Sequence, residues 1–211
     1  MSNLTELDHF AWATPDLAAA SARFAQATGV TPAPGGSHPG KGTQNALAAL
    51  GPGLYLAIDG PDPAQPPEAV NGAWMRKLAA PSLRVFVART GDIDTLERVM
   101  RAQGFDTRRE HQSRIDPEGR EIAWEALAAT EDRGFGVTLP VFCQWQSQPH
   151  PAEISPQGCR MAGFNVTHPD ADGVRRLYDA LELDGITVAV GPAPTLRLRV
   201  LGGGGEIALT T

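Results

Sequence analysis

Leu7-Asp-His-Phe-Ala-Trp-Ala-Thr-Pro-Asp-Leu17 decides the fold, because the chain carries this pattern three times. Leu83-Arg-Val-Phe-Val-Ala-Arg-Thr-Gly-Asp-Ile93 and Met161-Ala-Gly-Phe-Asn-Val-Thr-His-Pro-Asp-Ala171 align with it without a gap. Phe10, Phe86 and Phe164 coincide, and so do Asp16, Asp92 and Asp170. Each copy reads as a strand ending in an Asp whose carboxylate can cap the helix that follows.

The helices keep one register. Leu17, Ala20, Phe24 and Ala27 recur at helical spacing, as do Ile93, Leu96 and Met100, and Val174, Tyr178 and Leu181. One buried stripe per helix is predicted near Pro15–Ala27, Asp92–Gln103 and Asp170–Leu181, with Gly29, Gly104 and Gly185 near the ends. Strand-like runs broken by turns follow each helix: Ala46–Leu50 and Leu54–Ile58; Arg120–Leu127 and Val137–Trp145; then Ile186–Val190, Leu196–Leu201 and Glu206–Leu209. The fold class is therefore α+β. Three βαβββ units, about 5–60, 81–148 and 159–211, form curved mixed, mostly antiparallel sheets within one region spanning 1–211. Two such sheets pair to bury their concave faces and leave a cleft between them. The third could pad an edge or complete a cleft with a neighbouring chain.

Composition narrows the functional classes. With 211 residues and 42% hydrophobic content, the chain has material for a sizeable core. Its net charge is -6 and its basic residues are scattered, so the footprint of a nucleic-acid binder is missing. Two cysteines, Cys143 and Cys159, make no disulfide framework. No apolar run approaches spanning length and no signal segment opens the chain, so a cytoplasmic protein without membrane partners is expected.

Further residues carry a resemblance. His9 on a strand, the Pro15-Asp16 helix start, Gly35-Gly-Ser-His-Pro-Gly-Lys-Gly-Thr-Gln-Asn45 and Tyr55-Leu-Ala-Ile58 resemble the glyoxalase-like branch of the vicinal-oxygen-chelate superfamily. The likeness continues through Asp116-Pro-Glu-Gly-Arg-Glu-Ile-Ala-Trp124, Leu139-Pro-Val-Phe-Cys-Gln-Trp145 and His150-Pro151. It implies paired βαβββ modules around a pocket. It leaves the reaction open, because the superfamily includes lyases, isomerases, dioxygenases and metal-free binding proteins.

The resemblance also places His9 where metal-dependent relatives keep a ligand. The matching places in this chain hold Ala57, Val85, Gly163 and Ala208, with Glu206 two residues from the last of these and Gln144 in unit two. A single convincing ligand does not make a site. No metal ligands and no cofactor are expected, a divalent metal being the less favoured alternative.

The candidate catalytic residues are His9 and His38, as acid or base. Candidate substrate contacts are Trp12, Lys41, Asn45, Tyr55, Gln144, Trp145 and His150. The blander alternatives are a buried strand histidine for His9, core aromatics for the tryptophans, and a mere connector for Gly35–Asn45. Read as a loop, that segment has glycines that would let backbone amides converge on an anion or carbonyl. Its partial match to a nucleotide-binding loop fails at Pro39 and Gly42, and a strand rather than a helix is expected after it. His111 and His168 read as surface or turn residues, the run Arg108–Arg114 as an exposed strand face, and Cys143 as an inert buried thiol. The sequence thus points to a protein that binds a small oxygenated organic molecule, as a lyase or isomerase using a histidine. A sequestering protein without turnover is the alternative. The expected partner is that ligand, with a homodimer left open.

Overall fold

A computed structural model describes residues 3–211. The first unit comprises β1 (Glu6–Ala13), α1 (Leu17–Thr28), β2 (Ala33–His38), β3 (Thr43–Ala49) and β4 (Tyr55–Pro61). A short α2 (Val70–Met75) leads to the second: β5 (Ser82–Arg89), α3 (Ile93–Ala102), β6 (Thr107–Ile115), β7 (Glu121–Ala129) and β8 (Val141–Trp145). After α4 (Pro151–Ile154) come β9 (Arg160–His168), α5 (Ala171–Ala180), β10 (Thr187–Val190), β11 (Thr195–Gly202) and β12 (Gly205–Thr210). Asp16, Asp92 and Asp170 cap their helices, accepting from the backbone N–H of Ala19, Thr95 and Gly173.

Units one and two share a strand order. In each, the first strand runs parallel to the last, and the remaining neighbours are antiparallel. Their first strands, β1 and β5, pair antiparallel, so the eight strands curl into a barrel ordered β1-β4-β3-β2-β6-β7-β8-β5. Closure is narrow, with Ser37 paired to Ile115 between β2 and β6. A Cβ on Gly36 would stand 1.9 Å from the Ile115 carbonyl oxygen, so that seam needs a glycine.

The third unit repeats the element order with a different strand order. Its separate sheet runs β10-β9-β11-β12, with β9 parallel to its own second strand. Instead of joining the barrel, it lays one apolar face (Phe164, Val166, Leu196, Leu198, Val200) on the apolar cluster that holds Phe10, Phe86 and the buried stripes of α1, α3 and α5. The three phenylalanines aligned by the repeat meet there. Phe10 and Phe86 are register partners, and Phe164 packs against them edge-on at 4.7 and 5.1 Å between ring centres. Burying each ring is worth about 2 kcal/mol relative to leaving it in water, enough to fasten the third unit to the barrel's outer wall.

Two expectations need correction here. The segment Gly35–Asn45 is a β-hairpin, not a loop, with Gly40 and Gly42 in the left-handed region at its turn. Its amides do not converge on a ligand: Lys41 N–H donates to His38 O and Gly42 N–H to Gln65 Oε1. The run Arg108–Arg114 lies on a strand, as expected, but its face is not wholly exposed: its last residue, Arg114, is buried. No helix among the described residues is long and apolar enough to cross a membrane.

Candidate functional site

Side chains alternate across a strand, so β1 sends Phe10 and Trp12 to the core and His9 and Ala11 into the barrel. Asp8 should follow Phe10 outward. A register shift between Leu7 and His9 against β5 makes Asp8 the extra residue of a bulge, and a bulge lets consecutive side chains meet. Asp8 Oδ1 accepts from His9 Nδ1 at 2.6 Å, and its Oδ2 accepts from Trp145 Nε1 at 3.0 Å and His150 Nε2 at 2.9 Å. Arg89 Nη1 lies 3.7 Å away. Burial, the largest single influence, would raise the acid's pKa. The donors from His150, His9 and Trp145 together outweigh it and hold Asp8 well below the usual carboxylate range.

This carboxylate orients two imidazoles. The Ala152 N–H donates to Nδ1 of His150, so His150 carries its proton on Nε2 and donates a hydrogen bond through it to Asp8. His9 donates through Nδ1, which leaves Nε2 for the cavity it lines. Its ring stacks on Tyr55, its register partner on β4, at 4.6 Å and 18°.

The cavity, about 430 Å³, lies inside the barrel. A larger surface hollow of about 520 Å³ beside Asn3, Arg89 and Gln144 is also lined by Trp145 and His150, but the barrel interior gathers His9, His38, Tyr55, Asp59 and Arg114 and is the better site. Its far wall is built from the hairpin and β6. His38 Nδ1 contacts Thr43 Oγ1 at 3.0 Å, and Asn45 turns Nδ2 toward His38 Nε2 at 3.4 Å. Asn45 Oδ1 packs over Gly35, where a Cβ would come within 2.3 Å. Asp59 is the cross-strand neighbour of Asn45. Desolvation dominates both ionisable groups, pushing His38 down and Asp59 up toward their uncharged forms. Burial likewise raises Tyr55, which stays a phenol and a hydrogen-bond donor.

The barrel brings together His9, His38, Asn45, Tyr55 and Trp145, with Lys41 at the rim in an exposed ion pair to Glu110 at 3.3 Å. His150 reaches the site through Asp8. Two candidates lie elsewhere. Trp12 is 2% exposed on the core face of β1 with Arg23 over its ring. Gln144 faces out of β8 and its Oε1 accepts the Ile93 N–H at the start of α3. Period two explains both, since each stands one residue from an inward neighbour, Ala11 and Trp145. His168, expected at the surface, is 8% exposed, contacts Gly134 O through Nε2 and accepts the Asp170 N–H.

Sequence reasoning missed Asp8, Asp59 and Arg114. Asp59 and Arg114 had a legible signal. Asp59 shares a face with Tyr55 and Ala57, and Arg114 with Gln112, so alternation alone turns both inward. Asp8 had none, because the bulge breaks the alternation.

A metal does not suit these residues. No group of three or more His, Cys, Asp or Glu able to hold an ion exists among the described residues. Both ring nitrogens of His150 are engaged, one with Asp8 and one with the Ala152 N–H. Ala57 and Val85 line the cavity where ligands would be needed.

Residues 7–182 match the family model described as glyoxalase-like domain. No curated protein matches at a significant level. Among solved structures, a hypothetical protein from Staphylococcus aureus is similar in fold, at TM-score 0.66 and 13% identity, over 98% of this chain and 85% of that one. A methylmalonyl-CoA epimerase gives TM-score 0.50 at 20% identity, over 70% and 99% of the two chains. The Mycobacterium tuberculosis methylmalonyl-CoA epimerase gives 0.49 at 20%, over 73% and 96%.

Proposed function

The chain belongs to the glyoxalase-like domain family of the vicinal-oxygen-chelate superfamily, and on that premise we propose that it is an isomerase or lyase acting on a small oxygenated organic molecule, with His9 as the general base. The observation that carries this reading is the 2.6 Å contact between His9 Nδ1 and Asp8 at the β1 bulge. A buried, ionised carboxylate fixes the tautomer of His9, directs its Nε2 lone pair at the cavity and stabilises the imidazolium formed when that nitrogen takes a proton.

Proton abstraction from a carbon beside a carbonyl fits the rest of the cavity. His9 Nε2 accepts the proton, the C–H electron pair becomes the enolate double bond, and the negative charge lands on the carbonyl oxygen. The Tyr55 hydroxyl and the Arg114 guanidinium supply donors for that charge. The proton returns to carbon from the His9 imidazolium, giving isomerisation; departure of a neighbouring group gives elimination instead.

The test is solvent deuterium exchange at acidic C–H positions of small 2-oxo and 2-hydroxy compounds, followed by proton NMR. Exchange by the native protein should fall on the order of 10²- to 10⁴-fold in His9→Gln. Saturable binding without exchange in the native protein would sink the catalytic reading and favour a sequestering role, which the wall of Tyr55, Trp124 and Trp145 also suits.

A further inference from the structure

Arg114 is enclosed by the barrel with no ion-pair partner among the described residues. The residue is 3% exposed, and its side chain lies in the field of Tyr55, Asp116 and Asp59. Its Nη2 is buried with no hydrogen-bond partner among the described residues. The obvious mate, Asp116, is held by Arg120 at 2.7 Å. Asp59 makes no ion pair with it either, and desolvation pushes that carboxyl toward its neutral form.

An uncompensated guanidinium inside a barrel is costly. A fold keeps one where a bound anion completes it, and Arg presents a planar fork that matches a carboxylate. The rest of the cavity is not built for a bare inorganic ion. Trp124 and Trp145 stand 5.4 Å apart at 52° along one wall, with the Tyr55 ring beside them. A volume of about 430 Å³ is far larger than phosphate needs and suits a small organic molecule.

From this juxtaposition we infer that the cavity takes a small organic carboxylate bearing an apolar or aryl group. Arg114 holds the carboxylate and the tryptophans hold the apolar part. The acid–base reading above supplies only what happens afterwards: with the carboxylate anchored on β6, the adjacent carbon is the one presented to His9. Arg114 is then a substrate-binding residue, retained at a cost to the empty protein.

Titration calorimetry and thermal shift with mandelate, its neutral amide mandelamide and inorganic phosphate test this on the full chain. Mandelate should bind and raise the melting temperature, while mandelamide and phosphate should do neither. Arg114→Gln should melt no lower than the native protein in the absence of ligand, because a buried unpaired charge is removed. Its mandelate affinity should fall on the order of tenfold to hundredfold. Arg114→Lys, which keeps the charge without the fork, should retain part of that affinity and serves if the Gln variant fails to fold. Equal binding of mandelamide or phosphate, undiminished mandelate binding in both variants, or no mandelate binding at all overturns the inference. Mandelate binding through Arg114 with no proton exchange on any compound defeats the acid–base reading and leaves this one standing.

Discussion

Asp8 and Asp59 are carboxyls enclosed by one barrel, each close to a histidine, yet their surroundings drive them to opposite states. Asp8 sits at a bulge where Trp145, His150 and His9 all aim N–H groups at it, and three donors overcome desolvation. Asp59 sits in regular strand pairing opposite Asn45, with no comparable set of donors, and desolvation prevails. The same side chain is thus an anion that orients His9 in one place, fully buried, and a group held toward neutrality beside His38 in the other, on the cavity wall. What decides is whether enough hydrogen-bond donors are within reach to outweigh burial.

The largest test of this contrast removes Asp8. Asp8→Ala strands the N–H groups of His9, His150 and Trp145 in a dry site and should cost about 3–5 kcal/mol in urea denaturation. A loss below ~1 kcal/mol would mean that the donors find other partners and that Asp8 is not their organiser.

A smaller effect lies in the pH dependence. Asp59 has its folded pKa raised, so its contribution to stability is full below the ordinary carboxylate value of about 3.9 and is lost as pH rises through the folded value. Asp8 has the opposite sign: full above about 3.9 and lost as pH falls toward its depressed folded value. His38, also depressed, contributes fully above about 6.5 and loses its contribution as pH falls through its folded value. Relative to the native protein, Asp59→Asn should therefore gain stability as pH rises from about 4 toward neutrality. Parallel urea midpoints for the two proteins across that range would show that Asp59 is not perturbed.

The smallest effect is expected at the rim. Lys41 pairs with Glu110, and both side chains are more than a third exposed, so Lys41→Ala should change stability by no more than ~0.5 kcal/mol. A larger loss would mean that the hairpin turn depends on this pair.

How much was legible follows from these residues. His9, Tyr55 and Trp145 line the cavity from their strands; the family resemblance singled out His9, and aromatic character on an expected strand singled out the other two. Trp12 and Gln144 were misplaced because an aromatic or amide on a strand does not declare its face until the inward set is known. The Gly35–Asn45 hairpin looked like a loop because its glycines serve close approaches, Gly36 to Ile115 and Gly35 to Asn45 Oδ1, that exist only once the barrel closes.

The sequence by itself determined the three strand-then-helix starts, the capping Asp at each helix start and the buried stripe of each helix, since these follow from the 3.6- and 2-residue periods and from contacts a few residues apart. It determined that three phenylalanines are equivalent. Only the tertiary structure decided that they meet, because Phe10 and Phe164 are far apart along the chain. Strand order in the third unit, the bulge that turns Asp8 inward and the missing anion of Arg114 depend on partners distant in sequence. Register and charge compensation are properties of the pairing, and no local period records them.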